Sequence, residues 1–258
     1  MIKKINRRNF FFINKKYQYI FFISIILITL IIIISYNKNY IFNRLKLSLE
    51  LFSLNFNYQY TNLKVSGLNR IDYNFIEDKL KKYEKSSIFL LPLNKINKEL
   101  KENNWIKNLE LSTDYKNTLI VNIIEYEPLG IYEFNKKKFY FDKNGKIIDQ
   151  VFKNPTNRKK LLIFYGNSSN LNAYSLIKII NDLKFQKKYN IKRIDLINKR
   201  RWNIILDNNI KLMLSENDPK LSLQNFIIIK NKLSQAEINN IKQVDLRDTN
   251  KTLITYNK

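Results

Sequence analysis

The chain has no histidine and no cysteine, and only four glycines and four prolines among its 258 residues. Without thiols there is no thiolate nucleophile, no disulfide and no cysteine-ligated zinc. Without imidazole, histidine-based acid–base chemistry is excluded as well. Four glycines leave little room for a phosphate-cradling loop, and no G-x-x-x-x-G-K, G-x-G-x-x-G or G-x-S-x-G spacing occurs. What is present in excess is positive charge: 46 Lys and Arg against 22 Asp and Glu, a formal +24. Such a balance suggests a nucleic-acid binder, which gains free energy by releasing counterions from phosphate. Here the lysines come with surplus Asn, Ile, Phe and Tyr and a shortage of Gly, Pro, Ala and Trp, the skew of AT-rich codons. The charge is therefore read as compositional, and no nucleic-acid partner is assigned. The 45% apolar share suffices for packed cores.

The first forty residues predict a location. Lys3, Lys4, Arg7, Arg8, Lys15 and Lys16 stand before a stretch, Tyr17 to Asn37, that has no charged residue. Within it Tyr19 to Tyr36 is apolar apart from Ser24, Thr29 and Ser35. As a helix this run reaches roughly 27 Å, close to the hydrocarbon thickness of a bilayer. Its β-branched isoleucines favour strand in water, but in lipid only a helix satisfies its own backbone. Tyr19 and Tyr36 mark the interfaces and Ile26 and Leu30 the middle of the anchor. The cationic side stays in the cytoplasm, which puts the remainder outside. A cleaved signal peptide is the alternative, but the run is long for one and no small-residue cleavage site follows it.

Beyond the span, Ile41 to Phe56 is either an amphipathic continuation of the helix or a short linker. Gln59 to Val65 reads as a strand turned at Ser66-Gly67. Asp72 caps a helix over Tyr73 to Tyr83, and a second helix covers Lys95 to Asn103. Trp105, Lys107, Leu109 and Leu111 alternate with Ile106, Asn108 and Glu110 as a strand. A turn at Asp114 to Asn117 leads to a return strand, Thr118 to Glu125. The order is β-α-α-β-β. The next part is mainly strand: Ile131 to Phe134, Phe139 to Asp142, Ile147 to Val151 and Leu161 to Tyr165, with Asn144-Gly145 as a hairpin turn. A helix over Asn170 to Phe185 precedes a meander of Ile191 to Ile197, Trp202 to Leu206 and Ile210 to Leu214. Asp218-Pro219 starts a helix running to Lys232. Val244 to Arg247 and Leu253 to Tyr256 are the last strands. The fold class is α+β.

The acids assemble no catalytic pair. Glu125 and Glu127 read as a solvated strand edge, Asp142-Lys-Asn-Gly145 as a turn lacking the downstream acid of a calcium loop, and Lys136 to Lys138 as a solvated loop. Trp202 reads as core, with Arg200 and Arg201 at a strand end. No enzyme activity, cofactor, metal or small-molecule substrate is expected.

The layout of basic tail, single span, β-α-α-β-β unit and β-rich domain resembles the FtsQ/DivIB cell-division family. The residues that carry it are Val65-Ser-Gly67, Trp105-Ile106, Leu119 to Glu125 with Glu127-Pro128, Tyr140-Phe-Asp142 with Gly145, Arg201-Trp202 and Val244-Asp-Leu-Arg247. The resemblance implies a cytoplasmic tail (1–16), a transmembrane helix (17–37), a linker (38–57), a POTRA domain (58–127) and a β domain (128–258). It implies a divisome scaffold of the bacterial inner membrane, at the septum, with its folded domains periplasmic. The partners it implies are FtsB- and FtsL-like coiled-coil proteins and, through them, a septal peptidoglycan synthase. A partner strand would pair along Leu253, Ile254, Thr255 and Tyr256, with Asp245 and Arg247 on the preceding strand. The sequence departs from the family pattern at Asp248, where members carry an aromatic residue. A POTRA-type chaperone for exported β-proteins is the alternative class, though the chain shows one POTRA unit and no barrel region.

An uncleaved anchor predicts an intact mass. Mass spectrometry of the membrane-bound protein should find a chain that begins at Met1 or Ile2, and a mass matching cleavage near residue 40 would refute the anchor.

Overall fold

The computed structural model describes residues 15–151 and 161–257. Lys3, Lys4, Arg7 and Arg8 of the basic tail, and Lys258, lie outside the described residues. The chain divides into two interleaved compact units. The first takes the chain up to Lys64 with Glu77–Ile96 and Leu111–Val121; the second takes Val65–Ile76, Asn97–Glu110 and the chain from Asn122 onward.

Helix α1 (Lys15–Tyr36) contains a stretch, Tyr19–Tyr36, long and apolar enough to cross a membrane, and none of that stretch is buried in the fold. Tyr19, Ile26, Leu30 and Tyr36 all lie exposed on it. The segment after it, read as either a continuation of the helix or a linker, is a helix, α2 (Lys38–Asn55). Its end is fastened by Ser53, whose buried hydroxyl meets that of Ser87 at 2.6 Å.

Strands β1 (Asn62–Ser66), β2 (Ile106–Thr113) and β3 (Thr118–Glu125) form a sheet in the order β1-β3-β2. Helices α3 (Tyr73–Lys81) and α4 (Leu93–Leu100) lie between β1 and β2 in sequence. On β3 the alternation is clean, with Leu119, Val121 and Ile123 buried. On β2 the expected phase holds at Leu109 and Leu111 but fails at the start of the strand. Ile106 is buried, and Trp105 sits in the turn before the strand, its N–H held by the Asn103 side chain at 3.0 Å. The reason lies outside the strand, because the Trp105 ring is engaged elsewhere, as described below. Asp114 Oδ1 accepts three backbone N–H bonds, from Lys116, Asn117 and Thr118, at 2.9–3.0 Å. These donors hold its carboxyl down at about 2.

In the second unit a mixed sheet of nine strands runs β12-β11-β10-β9-β8-β7-β4-β5-β6. Its strands are β4 (Gly130–Phe134), β5 (Lys137–Phe141), β6 (Ile147–Gln150), β7 (Ile163–Tyr165), β8 (Ile191–Ile197), β9 (Arg201–Leu206), β10 (Lys211–Leu214), β11 (Ile241–Leu246) and β12 (Leu253–Tyr256). Pairings β4–β7, β7–β8 and β10–β11 are parallel. Parallel neighbours need crossovers, and helices α5 (Ser169–Asp182) and α7 (Pro219–Lys232) supply two of them. Both helices feed one core, in which Leu176, Ile180, Leu223 and Phe226 are buried with Phe164, Trp202 and Leu212. Asp218 caps α7 as its sequence predicts, accepting the Leu221 N–H at 2.8 Å.

Other expectations are corrected. The helix assigned as far as Phe185 stops at Asp182, and a separate turn, α6 (Phe185–Lys188), follows. Helix α8 (Gln235–Asn240) was not predicted, although Ser234 and Glu237 form a capping box for it. Lys136 to Lys138 is not a loop: Asn135 and Lys136 are a two-residue hairpin turn at positive φ, and Lys137 and Lys138 belong to β5.

Glu125 is no solvated edge either. Its carboxylate accepts the backbone N–H groups of Asn69 (2.8 Å), Arg70 (2.9 Å) and Ile71 (3.0 Å). The Arg70 guanidinium then lies over the Trp105 ring at 4.6 Å and the Tyr140 ring at 5.4 Å, and the Trp105 indole donates to Asp149 at 3.1 Å. Gly67 opens this loop at φ +84°, where an added Cβ would run into the Ile123 carbonyl oxygen. Glu125→Ala removes the shared acceptor of three N–H groups, of which that of Ile71 is part-buried. It should cost about 1–3 kcal/mol in thermal or urea unfolding of the detergent-solubilised protein. Glu125→Gln keeps one accepting oxygen and should cost less.

Candidate functional site

The residues assigned to the C-terminal edge come together on the outermost strands of the nine-stranded sheet. Strand β12 pairs antiparallel with β11 alone, with Leu253 opposite Asp245, Ile254 opposite Val244 and Thr255 opposite Gln243. Among the described residues its other side has no strand neighbour. Side chains alternate across a strand. Ile254 packs on the core, while Leu253 and Thr255 are exposed and Tyr256 is 42% exposed near the chain end.

Asp245 is half-buried on β11, and Arg247 follows one residue beyond that strand's end. The two form a bidentate pair: Nε donates to Oδ1 at 2.9 Å and Nη2 to Oδ2 at 2.5 Å. The guanidinium fork that the sequence reading offered to a partner is thus already engaged by Asp245. Arg247 holds the Asp245 carboxyl below its ordinary value, first through its side-chain hydrogen bonds, with a smaller contribution from the nearby positive charge of Arg201.

The sheet face that carries Asp245 continues inward through Met213, Asn203 and Asp195, each the register partner of the next. Asn203 and Met213 are buried on it. Asp195 is paired with Arg193 at 2.6 Å, and Arg193 lies over the Tyr165 ring at 4.0 Å. Burial and a hydrogen bond with Glu133 push the Tyr165 hydroxyl up. Trp202 is core, as expected, meeting Phe164 edge-on at 5.8 Å. Arg200 pairs with Glu216 at 3.4 Å, and Arg201 begins β9.

Positioning residues that the sequence reading missed lie on α7. The buried Ser222 hydroxyl donates to the Leu246 carbonyl at 3.0 Å and accepts the Ser215 N–H at 2.9 Å. It therefore ties the end of β11 to the helix. Asn225 Nδ2 donates to the Thr249 carbonyl at 3.1 Å, fixing the loop into β12. Asp248, the departure from the family pattern, accepts the Asn250 N–H at 2.9 Å and shapes that loop. The only local signal for these roles was polar residues at intervals on an amphipathic helix, and their acceptors are 24 residues away.

Two family models match consecutive parts of the chain: the FtsQ-type POTRA domain over residues 60–126 and the FtsQ/DivIB cell-division protein C-terminal region over 131–247. The class is therefore a cell-division protein with a POTRA domain ahead of a β-rich domain. Curated relatives narrow it. Cell division protein FtsQ of Rickettsia typhi is 30% identical over 194 residues, spanning 75% of this chain and 71% of the relative. That of Rickettsia bellii is 30% identical over 219 residues, spanning 81% and 77%. The FtsQ of Zymomonas mobilis is 26% identical over 165 residues, spanning 64% and 51%. The chain belongs to the FtsQ/DivIB family. Membership and the one apolar N-terminal helix fit a single-pass membrane protein with a role in cell division. Strand β12 lies beyond the C-terminal match, which stops at Arg247.

A depressed carboxyl adds stability that is complete above the unfolded value and lost as pH falls through the folded one. Asp245 should therefore titrate, by NMR, below the ordinary 3.8 of a carboxyl. Arg247→Ala should return it towards that value and loosen the end of β11, seen as faster amide exchange at Leu246 and Arg247. An unshifted Asp245 in the variant would contradict the pairing.

Proposed function

We propose that this protein is a non-enzymatic divisome scaffold. It sits in the inner membrane with its N-terminus in the cytoplasm and its folded units in the periplasm. Its work is to hold other division proteins, of FtsB and FtsL type, and through them to link septal peptidoglycan synthesis to the division site. The observation that carries the partner reading is the open edge of β12. A row of backbone donors and acceptors without a neighbour is the substrate for strand addition, which needs main-chain pairing first and side-chain fit second.

The exposed side chains of that edge suit such a role. Leu253 and Tyr256 offer apolar area, and Leu253 stands opposite the Asp245 that Arg247 engages. A partner segment would lie along Leu253, Ile254, Thr255 and Tyr256, with Asp245 and Arg247 at its flank. Tyr256 takes the place of the aromatic contact that Asp248 lacks. The orientation rests on the cations that precede the span, since they are costly to move across lipid.

Removing the chain from Leu253 onward should abolish capture of an FtsB-like partner from detergent-solubilised membranes, with the protein still in the membrane fraction. Leu253→Lys should weaken capture without affecting folding, because that side chain is exposed. Retained capture by the truncated protein would remove strand addition. A tagged copy should form a mid-cell band in dividing cells, and uniform membrane labelling would remove the septal assignment.

A further inference from the structure

Helix α2 carries an apolar stripe that the division-site reading leaves unused. It follows α1 through one distortion, at Asn37 (φ −99°, ψ 16°). Asn37 ends one ladder and opens the next: its N–H donates to the Ile33 carbonyl at 3.0 Å, and its carbonyl accepts from the Ile41 N–H at 2.9 Å. Only Asn37 separates the two helices, so α2 leaves the span directly.

Phe42, Leu45, Leu49 and Phe52 on α2, with Phe56 at its C-cap, follow one another at intervals of three and four residues. That is the a/d repeat of a coiled-coil seam. All five are 41–65% exposed. The Ser53–Ser87 contact holds the helix end from beside the stripe, and the Tyr58 ring stacks on Phe52 at 5.7 Å while leaving it part-exposed. Leu47, Leu51 and Leu54 project from the opposite side, but there the matching a position is Arg44, which is bonded to the Tyr40 hydroxyl at 3.2 Å. Apolar groups on opposite sides also count against α2 lying flat in lipid, where one face must be polar.

We infer that α2 pairs through this stripe with α2 of a second copy of the chain, parallel and in register. The inference rests on reading α1 as a membrane span. Copies inserted the same way present parallel helices, the orientation the seam needs. The stripe is self-complementary, as a two-fold interface must be. The flanking positions would set Ile41 against Lys46, so no like charges meet, and Lys46 already has Glu50 at 3.9 Å within its own chain; Ser53, the next flanking position, is taken by Ser87 of the same chain. Two heptads are too short to pair stably in water. They suit helices that a shared membrane already holds at high effective concentration.

The chain contains no cysteine, so single-cysteine variants report without background. Full-length Leu45→Cys, Leu49→Cys, Glu50→Cys and Leu51→Cys proteins are oxidised in native membranes. Positions 45 and 49 should give a disulfide dimer several-fold more abundant than positions 50 and 51. Adding Leu45→Asp to Leu49→Cys should cut that dimer several-fold while the protein stays in the membrane fraction. Equal yields at all four positions, no dimer at 45 and 49, or adducts only with a chain of different mass would overturn the pairing and leave the span intact. Recovery of the protein from the soluble fraction would overturn the span and the pairing together.

Discussion

The parallel pairing of β10 with β11 is the constraint on which the C-terminal edge depends. An antiparallel neighbour could have followed through a tight turn. A parallel one obliges the chain to leave the sheet, cross its face and re-enter. Helix α7 makes that crossing, started by Asp218-Pro219 and locked by Ser222, which bonds to both the end of β10's segment and the end of β11. Once β11 lies in place, the remaining hairpin can only add β12 on its outside. The exposed strand edge is thus set by the crossover behind it.

A second theme is how a strongly cationic chain places its scarce acids. Asp245 and Asp195 each take an arginine two residues away in the chain, Arg193 on the same strand and Arg247 just past the strand's end. Glu125 collects backbone N–H groups, and so does Asp114. Carboxylates with many donors and few competitors sit in strong, local bonds. The fold is therefore organised by a minority of charges, most of them negative.

Much of the architecture was legible because its signals are local. Strand β3, strand β12 and helix α7 fall at their expected residues, from a clean alternation, a short apolar run and a cap followed by proline. What was missed depends on distant atoms. Nothing near Glu125 says that a loop more than fifty residues earlier will bring three N–H groups to it. Trp105 looked like a strand residue until Arg70, Tyr140 and Asp149 claimed its ring. Arg247 was singled out for its fork, whose bidentate partner in the fold is Asp245, two residues away. Helix α8 went unread although Ser234 and Glu237 signal it, because the helix buries no residue and so shows no apolar period.

The scarcity of glycine also leaves a mark on the backbone. Ten non-glycine residues among those described sit at positive φ, and eight of them are Asn or Lys. Asn135-Lys136 and Asn198-Lys199 make turns that most chains give to Asn-Gly. Each lysine there holds a conformation that costs an ordinary side chain about 1 kcal/mol. A composition rich in Asn and Lys and poor in Gly is in this way converted into conformational strain. The molecule thereby holds back a reserve of stability that glycine at these turns would release.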